Sequence, residues 1–355
     1  MTPQISLLPL PFEIETKKVL KKAAEAHSAL AELKGVCRII PNQVILIDTL
    51  PIREAKESSA IENIITTHDE IYRAEMFSEL TSPEIKEVRN YHNALKSGYM
   101  KVRLNGFLST NIILEVQSLL EQNDAGFRKV PGTTLTNKQT GEVIYIPPQE
   151  FDTLVTLMSN LEKFIHDNED GIDPLVKMAI IHYQFEKIHP FYDGNGRKGR
   201  IINILYLVLR DLLGFPVLYL SRYLIKHRME YYRLLKEERN VNTTEEWILF
   251  MLEGVKQTSL ETIILIRGIF DLMDKYKHDI RNTLPKIYSK DLLENLFKHP
   301  YTKIEFLQND LECSRNTAIN YLKKLTEHGF LTRHKVGKGT YYVNEPLFNL
   351  LSKSE

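Results

Sequence analysis

Cysteine is nearly absent from this chain: two residues in 355, Cys37 and Cys313, stand far apart. That excludes a disulfide scaffold and any cysteine-rich zinc site, and it suits a reducing cytoplasm. An excess of charge of one sign is also missing. Lys+Arg and Asp+Glu number 46 each, which excludes a polycation held on nucleic acid by bulk charge and an acidic disordered tail. No apolar run nears the roughly 20 residues that a membrane helix needs. The best candidate, 201–209, is short and contains Asn203. Glu13, Glu15 and Lys17 interrupt any signal-like apolar stretch at the start, so no secretory signal is expected. There is no internal repeat and no low-complexity tract. What is present is 43% hydrophobic residues, enough for a sizeable core, in a length that suits two to three domains.

Helical periodicity dominates the chain. An extended, proline-punctuated arm at 3–12 precedes an amphipathic helix at 15–34, which Gly35 stops. Further helices are expected at about 52–74, at 83–101 and at 107–123, the last capped by Ser109 or Thr110. At 128–148 the composition turns β-rich around a polar turn at 137–141, which reads as a hairpin closed by two prolines. Asp173-Pro174 is an N-cap followed by an N1 proline, opening a helix over 174–188. His182 lies on its apolar face and reads as a satisfied core histidine. The segment HPFYDGNGRKGR occupies 189–200, and an apolar helix follows to about Leu213. Helical patterns continue to about Lys277. From Pro285 onward short helices lead to a capped helix at 314–328, a strand, a Gly337-Lys338-Gly339 turn and a second strand. Helices followed by such a hairpin form the layout of a winged helix.

The chemistry concentrates at 189–200. Glycines at 194 and 196 around Asn195 let backbone N–H groups converge on an anion at a helix N-terminus, where the helix dipole adds to the attraction. Arg197 and Arg200 are three apart, so both guanidinium forks share one face of the first turn, with Lys198 and Gly199 between them. Asp193 is a hard oxygen ligand beside that cradle and suits Mg²⁺. His189 is a general base for neutral pH. Base, metal carboxylate, anion hole and two arginines together point to phosphoryl or nucleotidyl transfer. The match of Gly194, Gly196 and Gly199 to a dinucleotide G-x-G-x-x-G is rejected, because a helix and His-Pro-Phe, not a buried strand, precede it.

HPFYDGNGRKGR resembles the signature of the Fic family, His-Pro-Phe-x-[Asp/Glu]-Gly-Asn-[Gly/Lys]-Arg-x-x-Arg, at every fixed position. The resemblance extends over most of the chain and implies a mainly α fold: a helical Fic core with a β-hairpin flap, plus a C-terminal winged-helix domain. The expected division is 1–105 for an N-terminal helical region, 106–270 for the Fic domain and 280–355 for the winged helix. The implied activity is protein AMPylation, in which AMP moves from ATP to a Ser, Thr or Tyr hydroxyl. His189 would take the hydroxyl proton, and Asp193 would hold Mg²⁺. Gly194, Asn195, Gly196, Arg197, Lys198, Gly199 and Arg200 would form the ATP and anion site. Relatives that phosphorylate their targets carry Lys where this chain has Gly196, so glycine there favours AMP transfer.

Three further features follow from the resemblance. Thr133, Thr134 and Leu135 fall in the flap, which would align an extended target segment by main-chain pairing. Ser58, Glu62 and Asn63 match the inhibitory motif [Ser/Thr]-x-x-x-Glu-[Gly/Asn], in which Glu62 would pair with Arg200 and misalign ATP. Tyr231 and Tyr232 stand where the family's adenine pocket lies; being adjacent on a helix, at most one can stack flat on a base.

The C-terminal region carries nine Lys and two Arg against eight acidic residues over 286–355. Arg315, Asn316, Asn320, Lys323 and Lys324 on its helix, with Arg333, Lys335 and Lys338 on its wing, would serve a DNA reader. The alternatives are therefore a DNA-binding regulator with a nucleotide-sensing Fic domain, and a de-AMPylating hydrolase that uses Glu62. The expected partners are a protein target, a second copy in a homodimer and DNA; no membrane partner is expected.

Overall fold

The computed structural model describes residues 5–77, 81–136, 143–336 and 339–352. In chain order the helices are α1 (Lys17–Val36), α2 (Val44–Ile61), α3 (His68–Met76), α4 (Pro83–Asn105), α5 (Thr110–Glu121), α6 (Phe151–His166), α7 (Pro174–Ile188), α8 (Asn195–Leu209), α9 (Leu220–Lys226), α10 (Arg228–Lys236), α11 (Val241–Thr283), α12 (Lys290–Lys298), α13 (Ile304–Leu311), α14 (Arg315–Glu327) and α15 (Glu345–Ser352). The strands are β1 (Leu135–Thr136), β2 (Val143–Tyr145), β3 (Tyr301–Thr302), β4 (Thr332–Val336) and β5 (Gly339–Val343). The fold is mainly helical with two small antiparallel sheets, β1–β2 and β3–β5–β4. No described helix is long and apolar enough to cross a membrane.

The centre is α7 packed against α8. Almost every residue of both is buried, which places the two helices in the middle of the bundle. Gly98 lets α4 approach α8 closely: a Cβ there would lie 2.8 Å from Leu205 Cδ1. Around this pair stand α2, α4, α5 and α6, while α11 lies along α1. Asp173 starts α7 as its sequence promises, accepting hydrogen bonds from the amides of Leu175 and Val176 at 2.8 and 3.3 Å.

The helix expected over 52–74 is two helices. The first begins earlier, at Val44, and accommodates Pro51 internally. It ends at Glu62 because Asn63 adopts a left-handed backbone, φ +67°. A new helix then starts from a capping box in which Thr67 and Glu70 satisfy each other's backbone amides. Glu62 is therefore the C-cap of α2, where its side chain leaves the helix end and not a helix flank. Helix α11 runs unbroken to Thr283, a little beyond the Lys277 to which helical patterns were expected to continue.

In the flap, Leu135 pairs with Tyr145 and Thr136 with Val143, with a bulge between. The expected turn at 137–141 lies outside the described residues. Tyr145 moors β2 by donating its hydroxyl to the Lys187 carbonyl at 2.8 Å. In the C-terminal unit, α12, α13 and α14 precede the β4–β5 hairpin, and Gly337 and Lys338 lie outside the described residues. This unit sits on α2 and α3. Tyr301 stacks on Tyr72 at 5.5 Å and donates to Asp69 at 2.5 Å, and Asn42 donates to Glu294 at 2.7 Å.

Candidate active site

The turn between α7 and α8 holds the candidate residues at 189–200. His189 is the C-cap of α7 in a left-handed conformation, φ +49°. A non-glycine residue held there stores roughly 1–2 kcal/mol, which surrounding bonds must offset. Arg128 supplies them. Its backbone amide donates to the Pro190 carbonyl at 2.9 Å and its Nε to the His189 carbonyl at 2.9 Å. Its Nη2 donates to the carbonyl of Pro148. Arg128 is buried and ties the foot of the flap to the histidine. Asn195 then staples the turn shut, accepting from the Phe191 amide and donating to the Phe191 carbonyl, both at 2.9 Å. Gly194, at φ +64°, caps α8.

Burial pulls the His189 imidazole down to about 4, with the Glu186 backbone carbonyl acting in the opposite direction. The ring is neutral at physiological pH and can accept a proton. One turn earlier, Glu186 is half-buried; burial raises its carboxyl to about 7, with Arg200 opposing, and its enclosed Oε1 has no hydrogen-bond partner among the described residues. His182 is the core residue expected of it. It contacts Asn203 at 3.0 Å and Tyr231 at 2.9 Å, and burial holds it neutral.

Arg200 is buried, with Nε and Nη2 engaged by α2 and its C-cap. Nε donates to Ser58 Oγ at 2.7 Å, and Nη2 donates to the Ser58 carbonyl and to Glu62 Oε1, both at 3.0 Å. Burial disfavours the guanidinium, but Glu62 together with Tyr231, Tyr91 and Glu186 outweighs it, and the Arg200 pKa is raised. A Cβ at residue 196 would fall 2.5 Å from Glu62 Oε1, so glycine is what admits the carboxylate to the cradle. Asn63 contributes its Oδ1 to Arg228 at 3.0 Å rather than to the motif.

Arg197 is also occupied. Its Nη1 meets Glu87 and its Nη2 meets Glu121 at 3.3 Å. Its buried Nε has no partner among the described residues, which leaves a donor for an anion. Lys198, read as part of the anion site, turns inward. Its side chain is 0% exposed, and Nζ donates to Glu121 Oε1 at 2.9 Å and to the Asp193 carbonyl at 2.8 Å. Gly199 packs on α7, where a Cβ would lie 2.6 Å from Glu186 Oε1. Sequence position thus assigns Lys198 and Gly199 to the cradle, while the helix faces assign them to its support.

Asp193 is exposed, and its Oδ1 accepts from the Gly194 amide at 2.6 Å. No group of three or more His, Cys, Asp or Glu among the described residues could hold a metal. A lone carboxylate beside a phosphate cradle fits Mg²⁺, which is commonly held by one or two carboxylates plus substrate phosphates.

The adjacent tyrosines separate as helix geometry requires. Tyr231 is 1% exposed, packed on Trp247 and His182. Tyr232 is 42% exposed and is the one with a face open to a ligand, next to Arg228. In the flap, Thr134 is exposed while Thr133 and Leu135 are half-buried, and Gln149 bonds the Thr133 carbonyl at 3.1 Å. Glu87, Glu121, Arg128 and Glu186 were not anticipated. The signal available for Glu186 was its place one turn ahead of His189; the other three have no local signal.

On α14, Arg315, Asn316, Asn320 and Lys323 are exposed and Lys324 is half-buried; Arg333 and Lys335 are exposed on β4. Arg315 pairs with Glu305 at 3.2 Å and Lys323 with Glu327 at 3.8 Å, which lowers the positive potential of that face.

Three family profiles match successive parts of the chain: Fic/DOC family N-terminal at 20–100, Fic/DOC family at 107–207, and Protein adenylyltransferase SoFic-like, C-terminal domain at 272–347. Among curated proteins, one from Aquifex aeolicus named a probable protein adenylyltransferase is 30% identical over 176 residues, which is 47% of this chain and 51% of the relative. The protein adenylyltransferase Fic of Drosophila melanogaster is 33% identical over 93 residues, 26% of this chain and 18% of the relative. The chain thus spans about half the length, or less, of these curated relatives. Among solved structures, a Fic family protein from Desulfovibrio desulfuricans superposes with TM-score 0.57 at 21% identity, covering 95% of this chain and 98% of that one. Fic-1 of C. elegans gives 0.53 at 21% identity, covering 72% and 73%.

Proposed function

The chain belongs to the Fic family, and on that footing we propose that it transfers AMP from ATP to a hydroxyl side chain of a protein, itself included, under restraint by Glu62. The observation that carries the reading is the engagement of Arg200 by Glu62 and Ser58 directly at the glycine cradle, which the turn after α7 joins to a neutral His189.

The reaction follows from the residues. The target hydroxyl oxygen attacks the α-phosphorus of ATP, the bond from that phosphorus to the α,β-bridging oxygen breaks, and pyrophosphate leaves. His189 accepts the hydroxyl proton. Burial disfavours its imidazolium in the empty site, and the negative charge of bound phosphates favours it, so basicity rises when the substrate arrives. Backbone amides at 194–197 and the two guanidinium forks meet the phosphate oxygens. The contribution is positioning and charge stabilisation, in keeping with phosphoryl-type transfer. Asp193 would hold Mg²⁺, which when bound supplies charge neutralisation at the α- and β-phosphates. Tyr232 offers the adenine face, and the flap strands offer edges to an extended target.

Glu62 holds Arg200 where the outermost phosphate needs it, so ATP and Glu62 compete for one fork. The outer face of α14 remains open to DNA, and salt-dependent duplex binding tests that reading. Two free cysteines agree with a cytoplasmic setting. The central test compares wild type, E62G and E62G/H189A with α-labelled and γ-labelled ATP. Protein label from α alone, strongest in E62G and lost in the double variant, is the expected result. Label from γ would replace nucleotidyl transfer by phosphorylation.

A further inference from the structure

Glu121 lies outside the 189–200 signature, at the last residue of α5, yet it reaches into the middle of it. One carboxylate oxygen serves two consecutive motif side chains, Lys198 Nζ at 2.9 Å and Arg197 Nη2 at 3.3 Å. Lys198 passes the contact on to the Asp193 carbonyl at 2.8 Å, and its ammonium lies 4.9 Å from the Phe191 ring centroid. The pair fills the space under the turn. A Cβ on Gly194 would fall 1.9 Å from Glu121 Oε1 and 2.7 Å from Lys198 Nζ.

We propose that Glu121 is a positioning residue that acts through Lys198 on the backbone of Asp193, setting where that carboxylate stands relative to the phosphate cradle. The inference rests on reading the turn as a Mg-nucleotide site. Its physical basis is that Tyr192 and Asp193 are exposed, whereas Asn195 secures the turn only at Phe191. Lys198 is the inward anchor for the Asp193 end. A fully enclosed ammonium keeps that position only with a carboxylate partner, since an unpaired buried charge is strongly unfavourable. Glu121 thereby turns a buried lysine into a strut. The carboxylate it supports stays on the solvent side, with Oδ1 accepting from the Gly194 amide.

A buried ion pair that merely fills space makes a different prediction from one that positions. Replacing both partners of such a pair by apolar residues of similar size commonly restores stability. It cannot restore a hydrogen bond to the Asp193 carbonyl. The experiment uses the full chain in the E62G background, so that Arg200 is free for phosphate. Variants are K198M, E121Q and E121L/K198M. Thermal stability is measured beside Mn²⁺ binding by electron paramagnetic resonance, in the presence of a non-hydrolysable ATP analogue. The expected result is that E121L/K198M recovers the melting temperature lost in K198M. Its Mn²⁺ affinity stays weakened by roughly tenfold, as suits loss of one hydrogen bond from a charged donor. Recovery of Mn²⁺ affinity together with stability would overturn the proposal. E121Q keeps an acceptor of the same size and serves if the double variant does not fold: a stable protein with weakened Mn²⁺ binding supports the strut, and unchanged binding refutes it. If E62G itself binds neither Mn²⁺ with the analogue nor transfers AMP, the reading of the site fails instead, and the two failures are told apart.

Discussion

Glu62→Gly should raise activity while lowering stability, and the opposite signs make it a discriminating perturbation. Arg200 makes three hydrogen bonds in the resting protein, one to Glu62 at 3.0 Å and two to Ser58. A hydrogen bond between charged groups contributes about 1.5–3 kcal/mol. The Glu62 side chain is 36% exposed, so solvent screening reduces this to about 1–2 kcal/mol. That energy is what the outermost phosphate must overcome to take the fork. Removing it should raise AMP transfer by about 5- to 30-fold, at roughly 1.4 kcal/mol per decade. The fold keeps both Ser58 contacts on Arg200, so the melting temperature should fall by only a few degrees. The assay is transfer from α-labelled ATP at sub-saturating nucleotide, run beside thermal unfolding. Ser58→Ala calibrates it: losing the 2.7 Å bond to Nε while keeping Glu62 should activate less than E62G. If E62G binds an ATP analogue as well as wild type does and transfers no faster, Glu62 is not the restraint.

Other consequences are equally direct. His189→Ala should reduce transfer by about 10²–10⁴-fold, the usual worth of a positioned general base, with little change in melting temperature. Because burial holds His189 at about 4, the neutral ring predominates above that pH; the acid limb of kcat/KM should fall near 4, and a limb near 6.5 would refute the burial argument. Tyr232→Ala should raise the KM for ATP with the fold intact, whereas Tyr231→Ala should cost about 3–5 kcal/mol of stability as a buried aromatic truncation, read by denaturant unfolding. Arg128→Gln strips donors from the carbonyls of His189 and Pro148 and should lower both kcat and melting temperature, since unpaired buried carbonyls are costly.

The chemistry of residues 189–200 was legible because it is local. The proposed base, glycines, metal carboxylate and arginines lie within twelve positions, and Gly194 takes the left-handed backbone from which α8 starts. Helix α7 was equally plain, since Asp173-Pro174 and the apolar face over 174–188 depend only on near neighbours. The break after Glu62 was missed for the opposite reason. Asn63 takes a left-handed conformation that sequence permits without demanding, and the continuous periodicity of 52–74 outweighed the Thr67–Glu70 capping box.

The supports of the site belong to tertiary structure. Glu62 meets Arg200 across 138 residues, Glu87 meets Arg197 across 110, Glu121 meets Lys198 across 77 and Arg128 meets the His189 carbonyl across 61. Glu62 was marked in sequence by the motif it forms with Ser58 and Asn63; Glu87, Glu121 and Arg128, read in sequence, are each one charge on an ordinary helix or loop. Sequence by itself determined which groups stand together as the candidate site, because a turn that can cradle phosphate can be encoded by adjacent residues. Only the packing of α4 and α5 against α8 decided that the Arg197 fork rests on Glu87 and Glu121 and that Lys198 faces inward. A buried charge takes its partner from whichever element the core brings within about 3 Å, and no local pattern records that choice.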